Sequence, residues 1–279
     1  MKTIQWFPGH MQKARRLMKE KINLIDIIFE LVDARIPFSS TNPFVLDIIG
    51  TKPKMVLLNK ADKADPLVTE KWIKYFKDNG IPAIPINSLS GDGVRKISVT
   101  AKEVLKDKID RDKEKGLKEK AIRAMIVGIP NVGKSTLINR LAKKKVARIG
   151  DKPGVTKSQQ WIKVDDNLEL LDTPGILWNK FEDKQIGFNL ALTGAIRDEI
   201  LPVDDVCIYG INYLNRNYPD AISNRFKTAS MDAIEVLDSI GKLRGCIRGG
   251  EVDYERVYTI FLNELRGGQL GRLSFEVPN

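Results

Sequence analysis

Three short stretches of the chain carry residue types whose spacing suits phosphate and purine chemistry. Gly128-Ile129-Pro130-Asn131-Val132-Gly133-Lys134-Ser135 fits G-x-x-x-x-G-K-[ST]. In that pattern glycines let the backbone curl until successive N–H groups point at phosphate oxygens. Gly128, Asn131, Val132, Gly133, Lys134, Ser135 and Thr136 form the expected phosphate-binding set, with the Lys134 ammonium reaching the terminal phosphates and the Ser135 hydroxyl ligating Mg²⁺. In Asp172-Thr173-Pro174-Gly175 a carboxylate at a strand end holds Mg²⁺ through water, and the Gly175 N–H approaches the γ-phosphate. Asn59-Lys60-Ala61-Asp62 supplies a carboxylate able to accept from both the ring N–H and the exocyclic amino group of guanine. Adenine lacks that donor pair, and mismatched buried donors and acceptors are costly, so Asp62 favours GTP over ATP. Asn59 braces the neighbouring loops and the Lys60 stem covers one base face.

Two weaker signals join these. Asn87-Ser88-Leu89 follows a strand and either supports the guanine from its backbone or is a plain turn. Thr156, in the loop KPGVTKS, offers a hydroxyl to Mg²⁺ and an N–H to the γ-phosphate.

Such groups must be held at strand ends. The apolar runs IDIIFELVDA and MVLL, the strand IPAIPIN, the segment AMIV before the glycine loop, and QQWIKV and LELL all read as strands. TEKWIKYFKDNG and STLINRL have helical spacing. Alternating strands and helices predict an α/β fold with a doubly wound, mostly parallel sheet over residues 1–178. From 179 to 279, faces such as Ala233, Val236, Leu237 and Ile240, or Val257, Ile260, Phe261 and Leu265, predict a smaller all-helical domain. The stretch from Lys102 to Lys120, dense in both signs of charge, reads as a solvated helix or connector.

The 279 residues include 46 Lys+Arg and 36 Asp+Glu, a net charge of +10. The excess is uneven: residues 1–179 carry +13 and residues 180–279 carry −3. Basic runs at Lys13, Arg15, Arg16, Lys19 and Lys21, and at Arg140, Lys143, Lys144, Lys145 and Arg148, flank the expected nucleotide site and suggest an RNA footprint. In the helical part Arg244 and Arg248 are further RNA candidates. Two cysteines exclude a disulfide framework, and no apolar window approaches the roughly 18 residues of a membrane span. A cytoplasmic, soluble chain without a membrane partner is the expectation.

The order of the motifs is unusual. The guanine loop precedes the phosphate loop, and the D-x-x-G segment comes last before the helical part. A doubly wound sheet can be opened at one connection and rejoined elsewhere without moving the site, so a circularly permuted P-loop GTPase is predicted. With Trp6-Phe7-Pro8-Gly9-His10-Met11, NKAD, GIPNVGKS, PGVT, DTPG and the helical tail, the chain resembles the circularly permuted GTPases of the YlqF/YawG group over essentially its whole length. The resemblance implies an assembly factor that binds the maturing large ribosomal subunit, hydrolyses GTP slowly until the subunit stimulates it, and then departs. It implies a monomer using GTP/GDP and Mg²⁺. Asn131, by its place in the phosphate loop, implies a bound K⁺.

Many GTPases orient the attacking water with a Gln directly after D-x-x-G, but here Ile176 and Leu177 stand there. His10, the sole histidine, is therefore the catalytic candidate, and the resemblance favours it; the alternative is that Trp6-Phe7-Pro8 anchors the N-terminus and His10 contacts RNA or nothing. Rival readings of the whole chain are a regulatory switch on a non-ribosomal partner and a stable RNA-binding protein with a structural nucleotide. Steep salt dependence marks RNA binding, and nucleotide-independent affinity marks the last.

Overall fold

The computed structural model describes residues 8–144, 146, 160–175, 177, 183–198 and 202–278, with backbone alone at 8–11, 13, 14, 44 and 46. Two units partition the chain: residues 1–180 with 276–279, and residues 181–275. The first unit therefore takes back the last four residues of the sequence.

Seven consecutive buried residues form β1 (Ile27–Asp33), which follows α1 (Pro8–Lys21). Next come α2 (Pro37–Ser40), α3 (Pro43–Ile49), β2 (Lys54–Asn59), α4 (Pro66–Asp78), β3 (Ala83–Pro85), α5 (Lys96–Val104) and α6 (Lys106–Glu114). After them β4 (Ile122–Val127) leads into α7 (Lys134–Leu141), and β5 (Gln160–Lys163) and β6 (Leu168–Asp172) close the sheet. The strand order is β3-β2-β1-β4-β6-β5, parallel throughout except for the β5–β6 pair. Strands buried on both faces need apolar side chains at every position, which is why they read as unbroken runs rather than alternating ones.

One face of the sheet packs Met18 of α1 and Val45, Ile48 and Ile49 of α3 against Ile28, Met125, Val127 and Leu171. Beside it Val68, Trp72 and Phe76, one helical turn apart along α4, cover Val32, Val56 and Leu58. Each such side chain contributes about 1.5–3 kcal/mol by burial. The start of α4 is fixed by Asp65, whose Oδ1 accepts from the N–H groups of Leu67 (2.8 Å) and Val68 (3.3 Å), with Pro66 in the first turn.

The second unit packs α8 (Lys184–Leu192), α9 (Val203–Asn217), α10 (Pro219–Phe226), α11 (Ala233–Leu243) and α12 (Tyr254–Gly267) around Leu190, Ile211, Leu214, Phe226, Leu237, Ile240 and Phe261. It is not purely helical. A short hairpin, β7 (Ile247–Arg248) and β8 (Glu251–Val252), turns through Gly249 and Gly250, both at positive φ. Two-residue strands around a Gly-Gly turn leave no periodic pattern for sequence reasoning to register.

Candidate functional site

In open α/β sheets ligands sit beyond the carboxyl ends of the parallel strands. That edge holds Asn59 at the end of β2, Asn87 and Ser88 after β3, Gly128–Gly133 after β4 and Asp172 at the end of β6.

Asn59 is 2 % exposed and joins two loops. Its Nδ2 donates to the Val132 carbonyl at 2.7 Å, and its Oδ1 accepts from the Ser88 N–H (3.0 Å) and Ser88 Oγ (2.8 Å). A Cβ on Gly133 (φ +105°) would stand 2.3 Å from Asn59 Nδ2, so glycine is required there for space as well as for conformation. Lys60, at φ +58°, donates from Nζ to the Asn131 carbonyl at 3.0 Å. Asp62 is exposed in the turn that follows. Asn87 caps its own loop by accepting from the N–H groups of Leu89 (2.8 Å) and Ser90 (3.1 Å).

The phosphate loop passes from β4 into α7, whose N-cap is Gly133 in the left-handed region. Lys134 Nζ donates to the carbonyls of Gly128 and Ile129, each at 2.9 Å. Burial pushes its pKa down to about 8, against the opposing pull of the Asp172 charge. Asp172 is 1 % exposed, and burial pushes it up to about 6 although Lys134 pulls it down. Its Oδ1 makes no hydrogen bond. A buried carboxylate oxygen without a partner, next to a phosphate loop, is the donor chemistry that a hard divalent cation satisfies. Ser135, half-buried at the start of α7, adds a hydroxyl. Thr173 Oγ1 donates to the Ile126 carbonyl at 2.6 Å, tying the ends of β6 and β4 together. Gly175 runs so close that a Cβ there would lie 3.0 Å from Lys134 Nζ and 3.1 Å from Pro130, which brings its backbone against the phosphate loop.

The structure thus brings together Asn59, Lys60, Asn87, Ser88, Gly128, Asn131, Val132, Gly133, Lys134, Ser135, Thr136, Asp172 and Gly175 along one edge. Thr156, Lys145, Arg148 and Ile176 lie outside the described residues. His10 stands in the first turns of α1, and its side chain and that of Lys13 lie outside the description. Among the other basic candidates, Lys143, Lys144 and Arg248 are exposed, and Arg16 is exposed beside Glu20 at 3.6 Å. Arg15 is half-buried. Arg244 is in an ion pair with Glu264 at 2.8 Å, and Arg140 donates to the Ser88 carbonyl at 3.4 Å. Two residues escaped the sequence reading: Asp33 and Arg35, a buried charged pair at the same edge.

A family model described as "50S ribosome-binding GTPase" matches residues 123–238, starting at the strand that feeds the phosphate loop and leaving the guanine loop upstream of it. "Ribosome biogenesis GTPase A" of Bacillus licheniformis is 55% identical over 99% of each chain, and that of Bacillus pumilus is 54% identical over the same share. The Thermotoga maritima protein of that name is 32% identical, covering 99% of this chain and 95% of its own. Among solved structures, a GDP-bound YlqF (TM-score 0.70, 27% identity, 94% of this chain and 98% of that one) and a GNP-bound YlqF from T. maritima (TM-score 0.67, 28% identity, 96% and 99%) share the fold. With its phosphate and guanine loops in permuted order on one sheet edge and this similarity running end to end, the chain belongs to the ribosome biogenesis GTPase A family of GTPases.

Proposed function

We propose that this protein binds the maturing large ribosomal subunit in its GTP form, hydrolyses GTP when the subunit stimulates it, and leaves in its GDP form. The observation that carries the enzymatic part is the orphaned Oδ1 of Asp172 beside Lys134 and the phosphate loop. Asn131, Val132, Gly133 and Thr136 cradle the phosphates, with Gly175 and Thr156 at the γ-phosphate. Asp62 reads guanine while Asn59, Lys60, Asn87 and Ser88 shape its slot. Ser135, Thr156 and Asp172 are the groups that would hold Mg²⁺, which would supply positive charge to the phosphates. The neutral amide oxygen of Asn131 suits K⁺, which supplies positive charge near the transferred group. With no hydrogen-bonding side chain at Ile176 or Leu177, the His10 imidazole is the group assigned to orient the attacking water.

The ribosomal side rests on the family and on charge. Arg15, Arg16 and Lys13 on α1, Lys143, Lys144 and Lys145 after α7, and Arg248 and Arg244 in the second unit are the proposed rRNA contacts. The protein acts as a monomer in the cytoplasm; among the described residues no helix is long and apolar enough to cross a membrane.

The test is the GTPase rate with and without purified large subunits, together with co-sedimentation in GDP and in a non-hydrolysable GTP analogue. Stimulation and GTP-dependent binding are expected, and the absence of both refutes the reading. His10→Ala is expected to abolish the stimulated rate with the fold intact. Hydrolysis in KCl is expected to exceed that in NaCl.

A further inference from the structure

Asp33 ends β1 among seven buried residues and is itself 2 % exposed. A carboxylate in such a place is costly unless fully paired. Arg35 pairs it: its guanidinium donates from Nε to Oδ1 (2.9 Å) and from Nη2 to Oδ2 (2.8 Å), and its backbone N–H donates to Oδ1 (3.1 Å). That fork already neutralises the carboxylate. A second cation comes nonetheless, because Lys60 Nζ stands 3.0 Å from Oδ2. The Lys60 side chain is 25% exposed, yet its ammonium is buried at this contact, where burial lowers its pKa against the opposing pull of Asp33.

What this contact fixes is visible from the register. Asp33 pairs with Asn59 across β1 and β2, and β1 pairs on its other side with β4, whose last residue Val127 lies opposite Glu30. Asp33 therefore projects past the end of β4, between the base loop and the phosphate loop. Lys60 Nζ, held by Asp33, donates to the Asn131 carbonyl at 3.0 Å. Lys60 and Asn131 both adopt left-handed backbone, at φ +58° and +56°. Such residues cost energy and persist where the surroundings over-determine them. Asp33 is held in turn by Ser40 Oγ, which accepts its N–H at 3.0 Å and donates to the Ile36 carbonyl at 2.6 Å.

We propose that Asp33 is a positioning residue for nucleotide binding: through the Lys60 ammonium it locks the base loop onto the phosphate loop at Asn131, and Arg35 holds Asp33 in place to do so. The inference rests on the assignment of Asn59–Asp62 as the guanine loop.

The experiment compares Asp33→Asn, Lys60→Met and the double variant in the full chain, by steady-state hydrolysis across GTP concentrations and by calorimetric titration with GDP. Each single variant is expected to raise KM for GTP and Kd for GDP roughly tenfold, the loss of one charge-assisted bond. In Asp33→Asn, kcat at saturating GTP stays within about twofold, because the lost interaction is made equally before and during reaction. The double variant is expected to be no weaker than the weaker single one, since both act through one contact. A purely structural role for Asp33 gives additive losses, and that result overturns the proposal. Lys60→Met keeps an apolar stem over the base and removes only the ammonium, so unchanged GDP affinity in that variant overturns it even if Asp33→Asn does not fold. Asp62→Asn separates the two assignments. If guanine preference survives that substitution, both fall; if preference is lost while Asp33→Asn and Lys60→Met bind GDP normally, the Asp33 proposal alone falls.

Discussion

Replacing Asn59 with Ala removes a side chain that joins the loop after β2, the phosphate loop and the turn after β3. The substitution strands three partners at once: the Val132 carbonyl, the Ser88 N–H and the Ser88 hydroxyl. Asn59 and Ser88 are 2 % and 3 % exposed, so water reaches these groups poorly. At about 1 kcal/mol for each orphaned group the loss is about 3 kcal/mol. These bonds are made without nucleotide, so the loss appears in the free protein. For a unit of this size 1 kcal/mol moves Tm by about 2–4 °C, and a drop of about 6–12 °C is expected by calorimetry or circular dichroism. Two controls sharpen the reasoning. Ser88→Ala removes one hydroxyl bond and should cost about a third as much. Asn59→Asp keeps an acceptor for Ser88 but sets an oxygen against the Val132 carbonyl, so it should cost more than Ser88→Ala. A Tm for Asn59→Ala within about 2 °C of the unaltered protein refutes the brace.

Three other outcomes follow from the same geometry. Burial raises Asp172 to about 6 and lowers Lys134 to about 8; cation binding needs the ionised carboxylate and phosphate binding the charged lysine, so Mg²⁺-nucleotide affinity should weaken about tenfold per pH unit below 6 and again above 8. Asp172→Asn should erase the acid limb relative to the unaltered protein, with the nucleotide's own titration common to both, and a retained limb contradicts the assignment. Gly133→Ala forces a Cβ to within 2.3 Å of Asn59 Nδ2 at φ +105°, and GDP affinity by fluorescence titration should fall by about 100-fold or more. Glu276 accepts from the N–H groups of Phe38 (2.8 Å) and Ser39 (3.0 Å) and from Ser39 Oγ, so Glu276→Ala should lower the Tm of the first unit by about 2–6 °C, and an unchanged Tm shows that this attachment is not stabilising.

The sheet and its loops were legible because their physics is local. Parallel strands buried on both faces need continuous apolar runs, and a backbone wrapped around phosphates needs glycine at fixed places. Partnerships across the sheet were not legible. Asp33 lay inside the run IDIIFELVDA read as a strand, and only the order β2-β1-β4 places it between the loop after β2 and the loop after β4. Charge density likewise does not show how a basic side chain is engaged: Arg140 supports the Ser88 carbonyl, and Arg244 pairs with Glu264. A run of like charges records composition, whereas availability depends on acidic and carbonyl partners distant in sequence. The return of Glu276 to α2, 237 residues from Ser39, had no local signal either.

The permutation gives these distant contacts a common logic. In the usual motif order the strand carrying D-x-x-G runs on toward the strand that here ends in Asp33; in this chain that connection is open. After β6 the chain enters the second unit, and at Glu276 it returns to the first. In sequence the second unit thus follows shortly after Asp172–Gly175. At the other end the chain re-enters the first unit at Glu276, which caps the start of α2, whose Ser40 holds the Asp33 N–H. The sequence that becomes the second unit therefore begins soon after Asp172–Gly175 and ends at Phe275, next to the Glu276 whose carboxylate caps α2 beside the Ser40 that holds Asp33.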